Sequence, residues 1–376
     1  MKRLALFVLL LFVFIPCREV YAEADSARSA CLMNALTGDV VFEKNADEKL
    51  PMASTTKIMT LLVALDKSDP DETVRISENA ASQEGSSAYL KAGSEITMND
   101  LMYGLMLNSG NDAAVAVAEH VSGSSEKFAE EMNKLARKIG AYNTSFKNPN
   151  GLDQEGHYTT AKDLALITKY ALKNEEFCRI VSARSHTAVY KDGSGGETTV
   201  EYINHNKMLS SYEGCIGVKT GYTKACGRCL VTAAKRGDAF YIAVTLNDPN
   251  DWQEHRELLD SGFSGTRFIC AVEKGECVRH LVSGDDECSL IAAEEFTVPV
   301  DGNKGKNITV KVNLPDSVVP LLNKGEKAGS LDIYCDDTYV GSVDIIAEND
   351  ISVDEEYKMK PCFFTVVKRL LRGLIG

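Results

Sequence analysis

Three short groups of polar residues carry side chains whose types and spacing could do chemistry together. Ser54-Thr55-Thr56-Lys57 puts a lysine three residues after a serine, where the apolar run 58–65 begins. On a helix these two side chains share a face one turn apart, which brings an amine to a hydroxyl. A serine hydroxyl attacks well only when a base takes its proton, and a lysine is that base when desolvation or nearby positive charge lowers its pKa. Free backbone N–H groups at a helix start also favour negative charge developing beside Ser54. Ser109-Gly110-Asn111 falls in a break between the helical runs 100–107 and 113–121, where Gly110 permits a turn and a hydroxyl and an amide can face a cleft. Val218-Lys219-Thr220-Gly221 ends a strand-like run. Its cation beside a hydroxyl suits an anion, and its glycine lets a substrate approach the backbone.

Alone, each group says little. The Ser-x-x-Lys spacing recurs at Ser124-Ser125-Glu126-Lys127, in a polar stretch that reads as a loop, and Ser-x-Asn recurs at Ser77-Glu78-Asn79; Lys-Thr-Gly occurs once.

The elements that must position these groups can be read from periodicity. Residues 30–35 and 40–44 are strand-like and joined by Thr37-Gly38-Asp39, the signature of a hairpin. The apolar helices 58–65, 100–107 and 113–121 follow, and Thr160-Ala161-Lys162-Asp163 is a capping box for a helix running toward Leu172. Strand character returns at 217–221, 229–234 and 239–246, and 253–259 closes the region as a helix. Burying both strand groups economically puts them in one antiparallel sheet beside the helical block, with a site in the gap between them. Composition changes near Gly262 to Gly265. From about 270 to 354 only alternating runs remain, such as 307–312, 331–334 and 339–345, which predicts a small all-β domain without catalytic groups. The fold class is therefore α+β, with a catalytic domain over 25–265, a β domain over 268–355 and a terminal helix over 358–376.

The ordered set Ser54-x-x-Lys57, Ser109-x-Asn111 and Lys219-Thr220-Gly221 resembles the three motifs of the active-site-serine penicillin-recognising enzymes. The likeness extends to residues 52–60, to Asn148-Pro149-Asn150-Gly151-Leu152-Asp153 with Gly156-His157-Tyr158, to Asn204-His205-Asn206 and to Leu258-Leu259-Asp260-Ser261-Gly262-Phe263. These segments resemble the low-molecular-mass serine D-Ala-D-Ala carboxypeptidases, and with the β domain and terminal helix the resemblance spans the mature chain. It implies a β-lactamase/transpeptidase-like catalytic domain that removes the terminal D-alanine from peptidoglycan stem peptides. It further implies Ser54 as nucleophile, Lys57 as base, Ser109 with Lys219 as the proton path to the departing D-alanine, and Asn111 as positioner of Lys57 and the substrate amide. Lys219 and Thr220 would hold the terminal carboxylate beside Gly221. Backbone N–H groups of Ser54 and Tyr222 would form the oxyanion hole, and β-lactams would acylate Ser54. No cofactor or metal is implied. His157 and His205 are expected to make structural hydrogen bonds, and Asn150, Gly151 and Asp153 to shape a loop near the site.

Composition narrows the partners. The chain has 376 residues and a formal charge of −13, with no concentrated basic patch in the catalytic or β regions, so nucleic acid is excluded as a partner. Eleven cysteines include one close pair, Cys226-x-x-Cys229, with no second cluster at zinc spacing; buried thiols or one or two disulfides are expected. Met1-Lys2-Arg3, the apolar run 4–15 and small residues near 20–24 have the layout of a secretory signal peptide over 1–22. At the other end, Phe363, Val366, Val367, Leu370, Leu371 and Leu374 share one helix face opposite Lys368, Arg369 and Arg372. That pattern predicts an amphipathic anchor on an anionic membrane surface, holding an exported enzyme at the outer face of the cytoplasmic membrane. Two other readings stand beside this one. A class A β-lactamase would need a Glu-x-x-Leu-Asn loop between Asn111 and Lys219, and none is present; a non-catalytic wall-binding scaffold would have no need of the full set of motif side chains.

Overall fold

The computed structural model describes residues 24–192, 195–301, 305–315, 321–353 and 357–361. Alternation of side chains along the central strands decides the layering of the catalytic domain. Strands β1 (Ser29–Asn34), β2 (Val40–Lys44), β7 (Cys215–Thr223), β8 (Gly227–Arg236) and β9 (Ala239–Leu246) form one antiparallel sheet in the order β2-β1-β9-β8-β7. The predicted union of the two strand groups in one sheet is thus observed. Cys31, Met33, Val231, Ala233, Ile242 and Val244 face one core, while Leu32, Ala234, Tyr241 and Ala243 face another, the two-residue period of a sheet covered on both sides.

The first face packs on a helical block: α1 (Lys57–Lys67), α2 (Glu78–Ala81), α3 (Met98–Met106), α4 (Asn111–Ser122), α5 (Ser125–Ile139), α6 (Ala161–Ala171) and α7 (Glu175–Ser182). Beyond the short α8 (Met208–Ser211), α9 (Asp251–Gly265) covers the second face with Leu258 and Leu259. A second sheet, β3 (Thr73–Arg75), β4 (Glu95–Thr97), β5 (Ser185–Lys191) and β6 (Glu197–Ile203), lies beside the helical block. Periodicity does not reveal it because its strands bury few side chains.

Thr160 caps α6 as expected, with Asp163 N donating to Thr160 Oγ1 at 3.0 Å, but the Asp163 carboxylate accepts from Asn143 N and Thr144 Oγ1 instead of closing the box. The two decoys are caps as well. Ser124 accepts from Lys127 N and starts α5, so the stretch read as a loop is a helix, and Ser77 caps α2 in the same way.

The β domain contains β10 (Thr266–Val272), β11 (Cys277–Ser283), β12 (Asp286–Ala292), β13 (Phe296–Asp301), β14 (Ile308–Asn313), β15 (Leu321–Leu322), β16 (Lys327–Cys335), β17 (Thr338–Ala347), β18 (Ile351–Ser352) and β19 (Lys358–Pro361). Its main sheet runs β14-β16-β17-β12-β11-β19. The expected helix over 358–376 is corrected at its start. Lys358 to Pro361 pair antiparallel with Val282 to Arg279, and Met359 packs on the domain core, so the β domain continues past 355 to 361. The remainder of that helix, and the signal segment over 1–22, lie outside the described residues.

The β domain docks on one end of the catalytic sheet. Asn34 Nδ2 donates to Pro299 O, Thr297 Oγ1 to Asp238 Oδ2, and Lys306 bridges Asp39 and Asp336 at 2.7 and 2.8 Å. Gly221 aligns across the strands with Cys229, Leu246 and Ser29, near the opposite end. The docking end and the motif end are separated by the length of the sheet.

Candidate active site

A strained turn presents Ser54. Ala53 holds a positive φ of 46°, unfavourable for a residue with a Cβ. It swings the chain from Pro51 into a single 3-10 turn, Ala53–Thr56, that feeds directly into α1. Neighbours hold the turn in place. Thr55 Oγ1 donates to Met52 O at 2.6 Å. At Gly151, whose φ is 88°, an added Cβ would fall 2.0 Å from Ala53 O, and at Gly221 it would meet Ser54 N at 3.1 Å. Only glycine allows these two segments to close on the nucleophile so tightly.

Lys57 is fully buried and its Nζ reaches three acceptors: Ser54 Oγ at 2.9 Å, Asn111 Oδ1 at 2.8 Å and Asn150 O at 2.6 Å. Burial first, then the charge of Lys219, holds its pKa well below the usual lysine value, with Asp112 opposing. The three contacts fit either protonation state. A neutral amine can donate to Asn111 and Asn150 while its lone pair takes the Ser54 proton.

Asn111 is itself fixed, because its Nδ2 donates to Glu84 O at 2.6 Å and its N to Ser86 O at 2.7 Å. Asp112, next in sequence, accepts from Ala88 N, Leu90 N and Ser87 Oγ. The first turn of α4 thereby bolts down the 84–90 loop. Ser109 has a positive φ of 58°, and among the described residues its buried Oγ has no hydrogen-bond partner.

Lys219 on β7 is 2% exposed. Its Nζ donates to Thr220 O at 3.0 Å, and burial brings its pKa down to about 7. Thr220 is half-buried and Tyr222 is 66% exposed, so the strand opens to solvent just after Gly221. The structure joins Ser54, Lys57 and Asn111 by direct hydrogen bonds and Gly221 to Ser54 by close approach. Lys219 acts on Lys57 through its charge, and Ser109 lies two residues before Asn111.

The expectation for His157 holds. Lys147 N donates to its Nδ1 at 3.0 Å, which leaves Nε2 as the protonated nitrogen donating to Thr56 Oγ1 at 2.8 Å. Burial lowers its pKa to about 4, so it stays neutral while bracing the nucleophile turn. His205 is exposed, and partial desolvation by its surroundings, then the charge of Lys219, lowers its pKa. Asp153 accepts from Thr223 Oγ1, tying the Gly151 loop to the end of β7. Sequence reasoning missed the carbonyl groups of Asn150, Glu84 and Ser86, since backbone atoms carry no residue signal. It also missed Asp112, which its place in the first turn of α4 could have suggested.

Comparison with known proteins agrees with this geometry. Residues 18–250 match the family model described as D-alanyl-D-alanine carboxypeptidase, peptidase S11, and residues 271–353 match that of the penicillin-binding protein 5 C-terminal domain. The chain is 33% identical over 362 residues to the D-alanyl-D-alanine carboxypeptidase DacF of Bacillus subtilis, covering 93% of this chain and 90% of the relative. The crystal structure of the Streptomyces K15 DD-transpeptidase superposes with a TM-score of 0.61 at 34% identity, covering 64% of this chain and 97% of that one. DacD from Francisella tularensis, also a D-alanyl-D-alanine carboxypeptidase, gives 0.60 at 26% identity, covering 87% of this chain and 94% of that one. Two domains matched in order along most of a relative's length place the chain in the D-alanyl-D-alanine carboxypeptidase family, peptidase S11.

Proposed function

We propose that this chain is a serine-type D-Ala-D-Ala carboxypeptidase, the activity of its family, and that Ser54 forms the acyl-enzyme. One observation carries the residue assignment: the Nζ of a fully buried lysine, Lys57, touches the Ser54 hydroxyl while the charge of a second buried lysine, Lys219, acts on that amine. Ser54 Oγ attacks the carbonyl between the two terminal D-alanines as Lys57 takes its proton. The oxyanion rests between the N–H groups of Ser54 and Tyr222, a reading supported by the closeness of β7 to the Ser54 turn, where a Cβ added at Gly221 would lie 3.1 Å from Ser54 N. The carbon–nitrogen bond breaks and Ser109, with Lys219, delivers a proton to the departing amine of D-alanine. Lys219 and Thr220 hold the terminal carboxylate, which supplies the negative charge that the buried ammonium lacks. Water then attacks the acyl-enzyme and the shortened peptide leaves. A β-lactam, whose strained amide mimics the dipeptide, acylates Ser54 by the same route and is itself the inhibitor. Release of D-alanine from a peptide ending in D-Ala-D-Ala tests the reading; activity that survives Lys57→Ala unchanged would overturn the role of that lysine.

The proposal extends to location. The signal-like segment 1–22 supports export, and the basic amphipathic pattern beyond Pro361 supports attachment to an anionic membrane surface. Among the described residues no helix is long and apolar enough to cross a membrane. Removing residues 362–376 is expected to leave carboxypeptidase activity intact and to abolish co-sedimentation with anionic vesicles. Continued co-sedimentation of the truncated protein contradicts the anchor.

A further inference from the structure

The turn that joins β7 to β8 holds two cysteines that the reaction does not use. Cys226 lies in the turn, and Cys229, on β8, pairs in register with Gly221. Each is 1% exposed, and their sulfurs lie 3.2 Å apart. A disulfide is about 2.05 Å long, so closing the gap asks each sulfur to move by roughly 0.6 Å. Among the described residues no group of three metal-ligating side chains exists, so two sulfurs alone do not make a metal centre.

The pair is wired to the nucleophile. The Cys226 thiol donates to Pro51 O at 3.1 Å, three residues before Ser54. Cys226 N donates to Thr223 Oγ1, which in turn donates to Asp153 of the loop that closes on Ala53 through Gly151. Cys226 therefore reaches the chain entering the Ser54 turn through its thiol and the loop that closes on the turn through its backbone N–H.

We propose that Cys226 and Cys229 are a redox modification site, converted to an intramolecular disulfide by a small or protein-borne disulfide oxidant, and that the nucleophile turn reads its state. The two thiols give up two electrons and two protons as the S–S bond forms, and the oxidant's own disulfide is cleaved to two thiols. The oxidised Cys226 has no S–H, so Pro51 O loses its donor beside the catalytic turn. Only two residues separate the cysteines, so the closed loop adds little global stability and the effect is local. The hydrogen bond that Cys229 donates to the Cys226 sulfur, followed by burial, holds the Cys229 thiol protonated, and with both sulfurs shut away from solvent the folded, reduced pair is slow to react. The bond is therefore made as the hairpin forms, before the turn is sealed.

The chain is produced once by export into an oxidising compartment and once in a reducing cytosol, alkylated under denaturing conditions and digested with trypsin. Trypsin cuts after Arg228, between the two cysteines, so oxidised protein yields peptide 225–228 linked to peptide 229–235, and reduced protein yields both alkylated. Acylation by a fluorescent penicillin is expected to differ between the preparations by roughly twofold to tenfold, the factor of one neutral hydrogen bond. In the Cys226→Ala/Cys229→Ala double variant the two preparations acylate alike. Alkylation of both cysteines in the exported protein overturns the proposal, as does a linked pair with equal acylation rates. The acylation arm rests on the carboxypeptidase reading. The peptide map does not, so failure of one is distinguishable from failure of the other.

Discussion

Protonation of Lys219 links the buried geometry of the site to a measurable pH profile. The side chain is 2% exposed, and burial brings its pKa down to about 7. Holding a substrate carboxylate requires the ammonium form. Below pH 7 the free enzyme carries that charge. Above it, the charged fraction falls about tenfold per pH unit, equivalent to about 1.36 kcal/mol per unit. Bound carboxylate raises the lysine pKa again, so binding above pH 7 takes up a proton, and the loss appears in KM and kcat/KM rather than in kcat. For a peptide ending in free D-Ala-D-Ala, kcat/KM is therefore expected to fall by about fiftyfold between about pH 7, where half of the lysine is charged, and pH 9. The assay is D-alanine release across this range, beside hydrolysis of the same peptide with its C-terminal carboxylate replaced by a carboxamide, followed as alaninamide release. The carboxamide is a poor substrate at every pH and lacks the alkaline fall, whereas the acid limb, set by protonation of Lys57, is shared by both. An equal alkaline fall for the carboxamide, or a KM flat through pH 9, refutes the assignment of Lys219 as the carboxylate anchor.

Two further substitutions separate stability from catalysis. Lys219→Met is expected to abolish turnover yet raise the melting temperature, with the larger gain at pH 6. The folded-state pKa lies below the unfolded value, so wild-type stability rises with pH between about 7 and 10.5 and the full cost of the buried charge, up to about 4–5 kcal/mol, is present below that window. Thermal melts at pH 6 and 9 check the sign. Gly221→Ala puts a Cβ at 3.1 Å from Ser54 N and 3.2 Å from Met52 O, contacts relieved by a shift of a few tenths of an ångström. It is expected to fold with a loss of about 1–3 kcal/mol, as overpacking costs, and to acylate roughly tenfold more slowly because the nucleophile is displaced. Stopped-flow acylation and melting of the same preparation check both.

The site was more legible than the scaffold around it. The roles proposed for Ser54, Lys57, Asn111 and Lys219 are side-chain roles, so residue types and their order along the chain suffice to suggest them. The long buried strands β1, β8 and β9 and the apolar α1, α3 and α4 were legible because each buries a continuous face. The second sheet was not. Its β3 and β4 have three residues each and bury only their central residue, Val74 and Ile96, too short a run to show a period. Helix α5 was hidden by its polar composition, since it buries only Phe128, Ala129, Met132 and Ala136 along one stripe. Strand β19 was absorbed into the helix that follows it in the sequence, because Lys358 and Lys360 look like more of the same basic face. The remaining contributions, the carbonyls of Asn150 and Glu84 and the strain at Ala53 and Ser109, belong to the backbone and appear only with the fold.

Intact-mass spectrometry of the mature chain after brief exposure to benzylpenicillin, with peptide mapping of the adduct and D-alanine release assayed in parallel, tests the central claim most directly. The account predicts one penicilloyl group, carried by Ser54, that persists for many minutes and blocks D-alanine release, with adduct and release both absent from Ser54→Ala. An adduct that turns over rapidly with no D-alanine released, an adduct on another residue, or no adduct at all would contradict it.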